Sequence, residues 1–349
     1  MSAKLLATDE TLLKVNANLE RLAGFVGAMA ASDMAAAIAD PHKLHEIIQA
    51  GLAPDILSIG DQIIVPHSDY TNIVFDVIGF DHDEDATGLY QHSVTVQTHF
   101  IIDKVVFDAV ENEVATEASF SADYHYYVAD TTNESGFRLL VAGTDYTIGG
   151  AIPSGTTYYH SAIEDPTGYI CKYGYNSWEH SAIRQWLNSE KAKGEWWAAQ
   201  HLGDVAPAYA STKDGFLKGL DADFKSIIGT TKKVTARNTK TDGGGSVELL
   251  EKIFLLSTTE VSGGNNNSIA EGKAYEYYSR LVGAVTTAPN TGRIKTLENG
   301  TIHWWGLRVP YTGYSYIVRN CNGDGGVTTG TTTYACSGER GLSPACILV

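Results

Sequence analysis

The chain has 349 residues, 43% of them hydrophobic, and carries a formal net charge of -16. That length and apolar fraction allow a sizeable core divided over two or three domains, and exclude disorder as an overall description. The acidic balance excludes the clustered Lys and Arg that neutralise phosphates, so no nucleic-acid partner is expected. Four cysteines, none in a C-x-x-C pair, exclude a zinc ribbon and a disulfide scaffold.

The first residues, "MSAKLLATDETLLKV", place Asp9 and Glu10 where a secretory signal needs an unbroken apolar run. The stretch "AGFVGAMAASDMAAAIAD" is interrupted by Asp33 and too short to cross a bilayer, so a soluble chain made in a cytosol, without membrane insertion, is expected. Leu5, Leu12, Val15, Leu19, Leu22 and Val26 fall mostly at alternating spacings of three and four, with charged residues off the seam. Two readings fit: an amphipathic helix docked on its own domain, or a coiled-coil stalk joining identical subunits. A second helix is predicted in "DPHKLHEIIQAGL", with Asp40 as N-cap and Pro41 at the first helical position.

From "LSIGDQIIVPH" onward the pattern turns to strands at Ile63 to Val65, Ile73 to Phe80 and "HSVTVQTHF". Residues 118–165 read as hairpins forming an inserted β-unit, with "PSG" and Gly149-Gly150 as turns. In "YNSWEHSAIRQWLNS", Ser177 is the predicted cap, and Trp178, Ala182, Ile183, Trp186 and Leu187 make one apolar stripe. "GFLKGLDADFKSII" predicts a further helix buried through Phe216, Leu217, Leu220, Phe224 and Ile227, and Ile253 to Leu256 suit a fully buried strand.

Three pieces in order, "YNSWEHSAIRQWLNS", "KIFLLSTTEV" and "IHWWGLRVP" with a terminal "GERGLSPACILV", resemble a domain family common in Firmicutes and their prophages. "LSIGDQIIVPH" and "IVFDVIGFDHD" resemble that family's opening strands, so the likeness covers roughly residues 45–110 and 170–349. The family is similar to C-type-lectin-fold proteins, which include formylglycine-generating enzymes and the hypervariable proteins diversified by retroelements. The resemblance implies an α+β fold in which a twisted antiparallel sheet and two helices support a long irregular C-terminal region. The expected organisation is a helical attachment segment at 1–50, a C-type-lectin-like domain at 51–117 and 166–349, and the β-rich insertion at 118–165. Versions with these additions resemble phage virion proteins of the tail-fibre or head-fibre type.

Catalytic chemistry finds little support. "FDHDEDATGLYQHSVTVQTH" gathers Asp81, His82, Asp83, Glu84, Asp85, His92 and His99, which suit a metal but equally suit a solvated turn, and the turn is preferred. "NCNGDG" matches half of a calcium loop, but Thr331 stands where a bidentate Glu belongs. Cys321 and Cys336 lie outside the formylglycine enzymes' motif, and no P-loop, G-x-S-x-G or H-E-x-x-H occurs. Neither an enzyme nor a cofactor is expected. Of the tryptophans, Trp178 and Trp186 are assigned to the core, and one ring of Trp304-Trp305 should point inward. Arg308 and Arg340 are read as framework residues in buried ion pairs.

The stretch from Tyr311 to Ser337 contains no Lys, Glu, Gln, Met or Trp and is crowded with Tyr, Thr, Gly, Asn and Ser. That palette is close to antibody paratopes, where Tyr supplies contact area at low entropic cost and small polar residues supply adaptable hydrogen bonds. The five missing types are also those that adenine-directed mutagenesis of pyrimidine-ending Asn codons cannot reach. Three readings stay open: a retroelement-diversified binding face, a fixed binding face, or turns with no ligand. The binding readings name Tyr311, Tyr314, Tyr316, Asn320, Asn322, Asp324, Thr331, Thr333 and Tyr334 as contacts. Their expected partners are a host-cell surface protein or glycan, with other virion proteins and further copies of the chain in a homo-oligomer, trimeric in one version. A virion protein that decorates the particle and binds no host ligand is the alternative.

Overall fold

The computed structural model describes residues 36–262, 264, 269–282, 290–327 and 333–349. The heptad positions from Leu5 to Val26 lie outside them, so the predicted helical segment at 1–50 is described only from residue 36. The described residues form a mixed α+β protein built on several small, mainly antiparallel sheets. The helix Pro41–Gln49 starts as its sequence predicts: the Asp40 carboxylate accepts from the backbone N–H of His42 and Lys43, and Pro41 follows at once. Such a cap is worth about 1 kcal/mol. Leu44, Ile47 and Ile48 form its buried stripe.

The central sheet has five antiparallel strands, ordered Gln62–His67, Thr71–Phe80, Val94–Thr98, Ala345–Leu348 and Ile253–Phe254. Gln62–His67, at one edge, alternates exposed and buried residues, as a strand with one wet face must. Val94–Thr98 is buried at every position, because elements cover both of its faces. The last strand therefore sits inside the sheet, with Ala345 opposite Gln97 and Cys346 opposite Ile253. Ile253, Phe254, Leu255 and Leu256 are all buried, as an unbroken apolar run requires.

A second sheet runs Val318–Cys321, Trp305–Pro310, Gly341–Leu342 and Asp103–Lys104, with one parallel pairing at Trp305 and Gly341. It turns Trp305 fully inward and leaves Trp304 half-exposed, the alternation expected of neighbours at a strand. A third sheet occupies most of the stretch read as an insertion: Glu113–Val114, Tyr158–Ser161, His125–Ala129 and Phe137–Leu139. Its first edge strand lies upstream of residue 118. It has a small core of its own at Phe120, Tyr126 and Leu140, and Tyr127 joins Ile170, Cys171 and Tyr175 in a second cluster that knits it to the helix Ile170–Tyr173.

Two helices differ from their sequence expectation. The helix after "YNSWEH" spans Ala182–Leu187, and its cap is Ser181, whose hydroxyl accepts from the Arg184 N–H, in place of Ser177. Trp178, Ala182, Ile183, Trp186 and Leu187 are nevertheless all buried, so the apolar stripe matches its expectation and only the helix start differs. "GFLKGLDADFKSII" makes two short helices, Phe216–Gly219 and Ala222–Ser226. Leu220 is extended between them, and Asp221 recaps the chain through the N–H groups of Asp223 and Phe224.

Arg308 is fully buried and pairs with Glu260 through both nitrogens, at 2.6 and 3.2 Å. Lys233 extends the network, 3.1 Å from Glu260 and 2.6 Å from Asp83, and the Tyr275 hydroxyl donates to the other Asp83 oxygen at 2.6 Å. The expectation of a buried ion pair fails for Arg340. Its guanidinium is buried between Phe107 and Trp304, 5.5 and 5.7 Å from the ring centres, and has no carboxylate partner among the described residues. Burial pushes its pKa down to about 9.

Candidate functional site

The tyrosine-rich stretch lies on a braced frame. Asn176 holds it most directly: its side-chain amide donates to the carbonyls of Tyr314 and Ile317 at 2.7 and 2.8 Å, and its backbone N–H donates to Ser315 O. The Asn238 side-chain amide donates to Asn176 Oδ1, and Asp165 accepts from the Ser315 hydroxyl at 2.9 Å. Thr239 anchors Thr312 through two hydrogen bonds. Within the stretch, Val318 N–H donates to Thr333 O and Ala335 N–H to Tyr316 O, so both flanks are tied together. The neighbouring helix comes close because Gly174, at φ +77, has no side chain; a Cβ there would meet the Ala109 carbonyl at 2.6 Å. That approach lets Cys336 N–H donate to Tyr173 O.

On this frame six tyrosine rings form one continuous cluster, with the buried Tyr316 ring at its centre. Tyr173 stacks on Tyr334 with centres 3.9 Å apart and on Tyr316 at 5.2 Å. Tyr169 meets Tyr316 at 4.6 Å, Tyr314 meets Tyr316 edge-on at 5.7 Å, and Tyr311 continues the row 5.0 Å from Tyr314. The Arg319 guanidinium lies 4.1 Å from the Tyr311 ring centre and closes that end. At the other end, Tyr169 donates to Glu134 of the insertion at 2.6 Å, and this bond with some burial pushes its hydroxyl up to about 12. Tyr169, Tyr173, Tyr311, Tyr314 and Tyr334 are half-buried.

The predicted contacts therefore divide. Tyr311, Tyr314, Asn322, Asp324 and Tyr334 reach the surface, whereas Tyr316, Asn320 and Thr333 are buried and form its floor. Thr333 donates to Asn320, and Asn320 donates to Asn322, so these groups hold the turn and are not free for a ligand. The Asp324 carboxylate accepts from Gly326 N–H, closing "NCNGDG" as a hydrogen-bonded turn. Thr331 lies outside the described residues. Sequence reasoning missed Tyr169 and Tyr173; their spacing of four, brought to one side of a short helix, was the available sign.

The acidic run at 81–99 does not gather around a metal. Asp81 pairs with His92, Asp83 with Lys233, Asp85 with Thr87 and His99 with Asp76. Cys321 is free and buried, and burial pushes its thiol up to about 12; Cys336 is free and half-buried. One set among the described residues does have ligand spacing: Glu111, His201 and Asp204, with one ligand atom of each within 4.8 Å of the others. Beside it, burial together with Glu111 and Asp204 holds the Asp108 carboxyl well above its usual range. Burial and Asp204 do the same to Glu111.

The fold and the site define a mixed α+β domain that presents a half-open aromatic face. The chain belongs to the family described as Domain of unknown function (DUF6273), whose model matches residues 159–349, more than half its length and all six tyrosines. No curated protein and no solved structure matches the chain.

Proposed function

We propose that this chain is a phage virion protein of the fibre type that recognises a host-cell surface protein or glycan through the six-tyrosine face. The observation that carries the reading is the continuity of that cluster: five half-buried tyrosines packed around the buried Tyr316 ring, on a scaffold fixed by Asn176, Asp165 and Thr239. A rigid aromatic surface loses little entropy on binding, and small polar neighbours adapt to a partner. We further read the domain as C-type-lectin-like. The central antiparallel sheet, with helices packed against it and an irregular region between two of its late strands, supports that reading. Single contacts of this sort are weak, and display on an oligomer would raise avidity.

The test uses the fluorescently labelled full chain on intact cells of a panel of Firmicutes. Wild type binds at least one strain, and a variant carrying Tyr311→Ser, Tyr314→Ser and Tyr334→Ser binds at least tenfold less. Equal binding by both proteins, or binding to no strain, removes the receptor assignment and favours a structural virion role. A repeat of the coding stretch downstream in the genome, differing only at adenines, supports diversification of the face.

A further inference from the structure

A second group of polar side chains takes no part in the tyrosine face. Glu111 follows the strand Asp103–Lys104, while His201 and Asp204 come from the loop between the helix Ala182–Leu187 and the short 3-10 turn Ala208–Ser211. The loop reaches Glu111 because it presses on the inserted sheet at Gly203. That residue has φ +84, and a Cβ on it would meet His160 O at 2.5 Å and Ser161 Cα at 2.7 Å. Ala162 N–H donates to Leu202 O at 2.6 Å and locks the approach.

Glu111 is 1% exposed and Asp204 7%, and the His201 side chain is 9% exposed. Glu111 Oε2 lies 2.8 Å from His201 Nε2. His201 Nδ1 and Asp204 Oδ1 have no hydrogen-bond partner among the described residues. Asp108, 1% exposed, accepts from the Ala109 and Ala182 N–H groups with one oxygen, while its other oxygen, Oδ2, has no partner among them. No Lys or Arg among the described residues forms an ion pair with any of these three carboxylates. Elsewhere several withdrawn acids are given a cation, Arg308 for Glu260, Arg184 for Glu251 and Lys233 for Asp83, and the buried Asp165 is given hydroxyl and backbone N–H donors on both oxygens. Three carboxylates withdrawn from water beside one imidazole, with donor atoms unsatisfied, carry a desolvation cost that a cation from solution would remove.

We propose that Glu111, His201 and Asp204 bind one divalent transition-metal ion of the zinc or manganese class, with Asp108 as the supporting carboxylate beside them. One imidazole nitrogen with carboxylate oxygens suits ions of that class. Calcium, which takes six to eight oxygens, fits this set less well. The ion would fasten the 201–204 loop to the 108–111 loop, beside the end of Tyr158–Ser161, and so clamp the inserted sheet to the rest of the chain. This role is independent of the tyrosine face.

The experiment is calorimetric titration of the tag-free full chain, dialysed first against a chelator, with zinc, manganese and calcium chlorides in turn. Wild type takes up one equivalent of zinc or manganese and unfolds at a higher temperature once loaded. Glu111→Gln and His201→Ala each bind at least tenfold more weakly. Should a variant fail to fold, cobalt(II) added to wild type decides the matter, because one bound equivalent with a nitrogen ligand changes the visible absorption. Uptake of none of these ions, uptake of calcium alone, or undiminished binding by both variants overturns the proposal.

Discussion

Glu260 and Glu111 are equally withdrawn from water, each 1% exposed, yet their surroundings are opposite. Glu260 faces Arg308 and Lys233, and although burial pushes its carboxyl up, those two cations hold it below the ordinary range. Glu111 faces His201, Ser161 and two further carboxylates, and its carboxyl is held well above that range. One cluster is complete within the chain; the other is completed only by something added. Burial alone therefore does not tell a structural acid from a ligand-binding one. What the fold places around the carboxylate does: cations at Glu260, hydroxyl and backbone N–H donors at Asp165, and further carboxylates at Glu111.

Arg308 offers the sharpest way to break the comparison. Arg308→Ala leaves Glu260 buried with only Lys233, and removal of one partner from a buried pair costs about 3–5 kcal/mol. Set against an ordinary domain stability of about 5–15 kcal/mol, urea unfolding should show a large part of the stability gone. A cost below about 1 kcal/mol would mean that the pair does not hold this part of the core.

Glu271 gives a smaller effect, with a sign fixed by linkage. Burial pushes its carboxyl up to about 7 against the pull of Arg308, while Glu260 adds to the rise. Between about pH 4.5 and 7 the folded chain holds a proton that the unfolded chain releases, so this group's contribution to stability falls as pH rises through that window. The change is on the order of 3 kcal/mol. Glu271→Gln keeps an acceptor for the Ala236 N–H and should flatten that part of the stability curve, measured by urea titration at a series of pH values.

The smallest change is predicted at Asp108, and it runs the other way. In chelator-treated protein, Asp108→Asn should stabilise by about 1 kcal/mol, because burial, Glu111 and Asp204 all oppose a charge at this position and an amide carries none, while one oxygen still accepts from Ala109 and Ala182. A destabilisation of similar size would place Asp108 with the completed cluster. The opposed signs at Arg308 and Asp108 are what the two plans require.

Much of the fold was legible wherever one segment carried its own pattern. Asp40-Pro41 announced a helix start, the β-branched runs at 62–98 announced strands, and Ile253 to Leu256 announced burial on all sides. Trp178 and Trp186 went to the core because their spacing put them on one stripe. Local competition hid other details: Ser181 outcompeted Ser177 as cap, and Asp221 divided a helix whose apolar positions were right. Of the candidate site, the rim residues Tyr311, Tyr314 and Tyr334 were visible through composition. The buried positions of Tyr316, Asn320 and Thr333 depend on how the stretch folds back on itself. Glu111, His201 and Asp204 left no local sign, because about ninety residues separate the first two and a glycine contact with the inserted sheet brings them together.

The placement of Ala345–Leu348 between Val94–Thr98 and Ile253–Phe254 bears on how copies of this chain are made. A ribosome delivers those four residues long after both neighbours, so throughout synthesis the two halves of the sheet wait with bare rims. A copy broken off before residue 345 can never seal its middle and is left to aggregation or proteolysis. Tyr311, Tyr314, Asn322, Asp324 and Tyr334, by contrast, reach the surface outside that seam, so their side chains can change while it stays shut.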